Sequence, residues 1–169
     1  MIAVKLAASV LILASTFGLG KMATGPYQLR VHTLEEWLRF VSHLHPLIEW
    51  KRMPLPQALL QAASGQRLLS PVLEVLGQEL GRREIAFEQA WQIMLNRLPG
   101  LWEEDQRVLV DLGRALGMSD VQYQRAHLAA ARAELERLLR DARVERAQDG
   151  RLLAALFSAF GVMILILML

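Results

Sequence analysis

Residues 119–169 read SDVQYQRAHLAAARAELERLLRDARVERAQDGRLLAALFSAFGVMILILML, and their periodicity decides the fold. Ser119 to Gln122 has the form of a capping box, with a hydroxyl to accept from the third amide and a Gln side chain to reach back. Val121, Leu128, Leu135 and Ala142 then repeat every seven residues, with Ala131 and Leu138 between them. That is a narrow apolar seam, the kind a helix sets against one or two partners. No proline follows Pro99. The simplest reading is one helix from Ser119 that enters a membrane near Arg151, about 75 Å in all. Gly150 is a place for it to bend.

The far end of this stretch, Leu152 to Leu169, is uncharged throughout, with Ser158 and Gly161 as its mild interruptions. Eighteen helical residues reach about 27 Å, close to the hydrocarbon thickness of a bilayer. A buried core helix is the competing reading, but a domain of this size rarely hides a helix apolar on every face.

A second apolar run, Leu6 to Gly20, opens the chain and spans roughly 22 Å. Counting Met1 to Val4 makes it long enough to cross, provided Lys5 carries its ammonium to the interface. A cleaved signal peptide competes, because a Lys precedes the apolar stretch. Lys5 lies inside the run, however, and no small-x-small cleavage site with a polar lead-in follows. The expected division is therefore a transmembrane helix over 1–24, a helical bundle over 25–150 and a second transmembrane helix over 151–169. Lys21 and Arg30 follow the first span, and Arg140, Arg143, Arg146 and Arg151 precede the second. The positive-inside rule then puts the middle in the cytoplasm and both termini across the membrane.

The middle is helical by pattern. Thr33-Leu34-Glu35-Glu36 has the form of a capping box, and Leu34, Trp37, Leu38, Val41, Leu44 and Ile48 follow at helical spacing. Pro46 should kink or end that helix. Pro54 disfavours a helical Met53, and Pro56 suits the first turn of a helix carrying Leu59, Leu60 and Ala63. Ser64-Gly65 stops it. Ser70-Pro71 starts a third, with Val72, Leu73, Leu76 and Leu80 inward and an end at Gly81. Phe87, Trp91, Met94, Leu95 and Leu98 mark a fourth, closed by Pro99-Gly100. Glu103 to Leu116 is a fifth, with Gly117 as its C-terminal cap. No β-alternation of useful length occurs, so the expected class is all-α.

Charge and composition exclude several functions. Between Lys21 and Arg151 stand eighteen bases and seventeen acids, interspersed as on a solvated helix surface. A pI near 9.4 without a basic patch does not make a nucleic-acid footprint. The absence of cysteine removes disulfides, thiolate zinc sites and a cysteine nucleophile together. Gly18 to Lys21 imitates part of a phosphate loop, but Ser15 stands where a Gly is needed and Met22 where a Ser or Thr should hold magnesium. His43 and His45 point apart on a helix, and His32 and His127 stand alone, so no metal ligand set is expected. Glu35-Glu36 and Glu103-Glu104-Asp105 sit at helix starts, where carboxylates complement the dipole. No nucleophile elbow or Ser-x-x-Lys is present. Trp37 and Trp91 read as core, while Trp50 and Trp102, at helix edges, are freer to meet a partner. The catalytic, cofactor and metal sites are each expected to be none.

Several pieces together carry a family resemblance: the short N-terminal apolar run, PLPQAL at 54–59, Ala90-Trp91, DQRVLVDLGRALGMSD at 105–120, Gln124, a basic stretch and the apolar C-terminus. In order and spacing the chain resembles the stage III sporulation protein AB family of endospore-forming bacteria. The resemblance implies a six-helix bundle like the cytoplasmic domain of the type II secretion platform protein. It implies a place in a channel between mother cell and forespore. An ATPase similar to secretion ATPases (stage III sporulation protein AA-like) and other channel subunits are the partners it implies, and a homo-oligomer is compatible with it. Two departures stand out: Arg146 and Arg151 replace the Lys usual before the last span, and Pro46 falls within the first amphipathic helix. Secretion platform proteins also show acidic clusters proposed to bind calcium, and this chain has no equivalent ligand set. The leading expectation is a non-enzymatic membrane platform. A membrane-tethered adaptor or transporter accessory subunit outside sporulation is the alternative.

Overall fold

The computed structural model describes the backbone of residues 2–51, 53–82, 85–118 and 121–168. Side chains are described except at 1–23, 52, 81–84, 119–121, 149–150 and much of 153–169. Among the described residues there are six α-helices and no strand: α1 (Ile2–Glu49), α2 (Leu55–Ala63), α3 (Leu69–Arg82), α4 (Phe87–Arg97), α5 (Glu103–Gly117) and α6 (Val121–Met168). The all-α expectation holds, as does the single long final helix. The expected capping box at Ser119 lies outside the described residues.

The first helix differs from expectation. Thr33 to Glu36 does not begin a helix: α1 runs unbroken from Ile2 through it. Nor does Pro46 end α1, which continues to Glu49. A proline this near a helix end costs one bond, that of its missing N–H to the carbonyl four residues back. Its own carbonyl still accepts from the N–H of Trp50 at 3.1 Å and of Lys51 at 3.4 Å. Beyond the end of α1 at Glu49, Pro54 precedes α2 with an extended ψ of 136° and disfavours a helical Met53. Smaller corrections fall at two helix ends. α3 continues to Arg82, one residue past Gly81. Gly117 is the last residue of α5 and keeps a negative φ; the positive-φ glycines among the described residues are Gly65 and Gly100, both at 78°.

The chain divides into two compact units, residues 30–140, and 1–29 together with 141–169. Within 30–140 every helix contributes to one core. Leu34, Trp37, Phe40 and Leu44 come from α1, Leu59 from α2, Leu69, Leu73 and Leu76 from α3, Trp91 and Leu95 from α4, Leu109 and Leu112 from α5. The α6 seam supplies Leu128, Leu135 and Leu138. Trp37 is the hub, edge-on to Phe40 at 5.3 Å and to Trp91 at 5.7 Å between centroids. Such geometry adds about 0.5–1.5 kcal/mol per pair beyond burial.

The two terminal apolar runs are helical in backbone. Among the described residues no helix is long and apolar enough to cross a membrane. The expected spans, 1–24 and 151–169, lie for the most part outside those residues in their side chains.

Candidate functional site

Three polar side chains of α1, placed three residues apart, are buried: Arg30, Thr33 and Glu36, at 2%, 0% and 1% exposure. Each reaches a different part of the chain: the first turn of α5, the α4–α5 loop and the start of α3. The guanidinium of Arg30 donates from Nε and Nη2 to the two carboxylate oxygens of Asp105, both at 2.9 Å. A bidentate pair of this kind is among the strongest side-chain contacts. The Trp102 ring covers the guanidinium carbon of Arg30 at 4.1 Å, a cation–π stack. The Thr33 hydroxyl donates to the carbonyl of Pro99 at 3.0 Å. The Glu36 carboxylate accepts from the backbone N–H of Arg67, Leu68 and Leu69, at 3.1, 2.9 and 3.1 Å.

The last contact explains why the Thr33–Glu36 pattern misleads. Glu36 does cap a helix, but the start it caps is that of α3, where unpaired amides need an acceptor and the dipole favours a negative charge. The acids at 103–105 sit at the start of α5 as expected. Asp105 goes further: it is fully buried, and besides Arg30 it accepts from the N–H of Trp102 at 2.9 Å. At the other end of α5, the Gln124 amide donates to the carbonyls of Leu116 at 3.2 Å and Met118 at 2.5 Å. None of these long-range partners has a local signal. The nearest hint is the third acid after Trp102, at the capping-box position.

The charged surface is organised by short pairs. Arg137 bridges helices, reaching Glu104 at 2.5 Å and Glu134 at 2.7 Å. The hydrogen bonds that Arg137 donates to Glu134 and Glu104 raise its guanidinium above its usual range, and accepting from Arg137 lowers the Glu134 carboxyl below its own. Glu103 likewise raises Arg107 through a close hydrogen bond. Of the histidines, His32 faces Glu36 at 3.5 Å, His45 faces Glu49 at 3.3 Å and His127 lies against Tyr123 with centroids 4.1 Å apart. They do not converge. Among the described residues no three His, Asp or Glu side chains are placed to hold a metal. Trp37 and Trp91 are core at 0% and 1% exposure, whereas Trp50 is 79% exposed.

Chemically, this arrangement holds helices in place. Both deeply buried carboxylates accept three hydrogen bonds that fix helix starts, which leaves neither poised as a base. The family model for stage III sporulation protein AB matches residues 5–169, essentially the whole chain. The chain belongs to that family. As a stage III sporulation protein AB family member it has a sporulation-related role, in a family of sporulation components and not a known enzyme family. No curated protein and no solved structure matches it.

Proposed function

We propose that this chain is a non-enzymatic platform subunit of the channel between mother cell and forespore. Its two apolar helix ends lie in the mother-cell membrane around the forespore. The bundle faces the cytoplasm and offers a fixed surface to a secretion-type ATPase, which it links to the membrane-embedded subunits. This bundle plays the part that the cytoplasmic domain plays in the type II secretion platform protein.

The observation that carries this reading is the commitment of Asp105 and Glu36 to structure. Each buried carboxylate accepts three hydrogen bonds: all three to Glu36 tie α1 to the start of α3, and of those to Asp105 two from Arg30 tie α5 to α1 while the third, from Trp102, caps α5 itself. That supports a scaffold. Membership in a sporulation family across residues 5–169 supplies the setting, and the uncharged runs Leu6–Gly20 and Leu152–Leu169 supply the anchors. Deleting the gene is expected to stop forespore development and to release the channel ATPase from the membrane. A deletion strain that completes forespore development, with the ATPase still recruited, would overturn the proposal.

A further inference from the structure

Between Lys21 and Arg151 the longest stretch without a charged residue is 53–66, which contains the whole of α2. One side of that helix is core, through Ala58, Leu59, Ala62 and Ala63. The other carries Gln57, Leu60, Gln61 and Ser64 at i, i+3, i+4 and i+7, and all four are exposed. The side chains of Gln57, Gln61 and Ser64 bond to no other described residue. Leu60 is 39% exposed and leans on α3, its methyl carbons 3.5 Å from where a Cβ on Gly77 would stand.

A neutral face stands apart on this bundle, where ion pairs organise the surface of α5 and α6. Depletion of charge marks the centre of a protein contact. The chemistry also says which partner fits. Set against a charged surface, this side of α2 would strip water from ions and return no counter-charge. Carboxamides both donate and accept, so a face of two Gln, a Ser and a Leu is complementary to itself. A second copy presents that same face, and a two-fold axis brings equal residues together. The bases that bound the stretch, Arg52 and Arg67, fall beyond both ends of α2, where salt screens like charges.

We propose that the outer face of α2 is the contact between two copies of this chain, related by a two-fold axis. The Leu60 side chains of the two copies pack together on the axis. Gln57, Gln61 and Ser64 exchange hydrogen bonds around them. One face of a short helix is small for a dimer in solution, where about 800 Å² per partner is usual. Two chains anchored in one membrane meet at a far higher local concentration. In that respect the proposal rests on the platform reading, which it deepens by naming how one subunit meets the next.

The chain has no cysteine, so a single introduced thiol reports one position. Full-length Gln61→Cys in native membranes, treated with a short bis-maleimide, is expected to give a species of twice the chain's mass. Gln89→Cys, at an exposed position of α4, is expected to stay single. Adding Leu60→Lys should lower the position-61 yield by about fivefold or more, since it buries two like charges on the axis. Co-expressing that chain with one carrying Leu60→Glu should restore the yield, which a merely unfolded variant would not do. No doubled species, equal yields at 61 and 89, a yield indifferent to Leu60→Lys, no rescue, or a link to a different protein would each overturn the proposal. A chain that stays in carbonate-washed membranes yet stays single sinks the α2 contact alone. A chain released by carbonate sinks the platform reading and this contact with it.

Discussion

Arg30 and Asp105 stand 75 residues apart in sequence and meet in two parallel 2.9 Å hydrogen bonds, with side-chain exposures of 3% and 0%. The pair fastens the start of α5 to α1 at the first residue of the 30–140 unit. Removing one partner strands the other as a buried charge, at a cost of about 3–5 kcal/mol. Arg30→Met and Asp105→Leu are each expected to show that loss in urea unfolding of the detergent-solubilised chain. The double variant should recover most of it, because an apolar pair of similar volume replaces the ion pair without leaving a charge behind.

Glu36→Gln is expected to destabilise by about 1–3 kcal/mol, since it exchanges a charged acceptor of three backbone amides for a neutral one. Hydrogen exchange at Arg67, Leu68 and Leu69 should accelerate in that variant. Glu35→Gln, one residue earlier and less buried, should leave those amides as they are.

Much of the fold was legible in the sequence because it rests on local periodicity. The seam of α6, the helix stops at Pro54, Gly65 and Pro99, and the inward Trp37 and Trp91 all follow from spacing within a turn or two. The first helix was misread for the converse reason. A hydroxyl three residues before a Glu looks the same whether it starts a helix or sits inside one. Only the distant partners decide: Pro99 for Thr33, and the amides at 67–69 for Glu36. Pro46 leaves α1 running to Glu49 because its lost bond matters less one turn from the helix end.

Gly113 is required by Trp91. A Cβ at residue 113 would lie 2.2 Å from Trp91 Cδ1, while the Trp91 indole N–H is fixed to the Leu109 carbonyl at 2.8 Å. The ring cannot give way without losing that bond. Gly113→Ala is expected to destabilise by about 1–3 kcal/mol from overpacking, even after the roughly 1 kcal/mol that Ala gains over Gly in a helix. A lowered unfolding midpoint and an altered near-ultraviolet tryptophan signal would report it.

The Arg137 cluster sets a pH dependence of known sign. Arg137 holds the Glu134 carboxyl below its ordinary value of 4.5. Its folded pKa is thus below its unfolded one. The stability it contributes is present above about the ordinary Glu range and is lost as pH falls through the lower folded value. Both side chains are more than two-fifths exposed, so solvent screens the pair and the effect on stability is small. Carboxyl NMR titration should place Glu134 below the ordinary range, and Arg137→Leu should return it there.

Extraction of native membranes with alkaline carbonate tests the central claim most directly, that lipid holds the two apolar ends while the bundle stays outside it. The platform account predicts that the full-length chain stays in the membrane pellet and leaves it only in detergent. Recovery of the intact chain in the carbonate supernatant would contradict it.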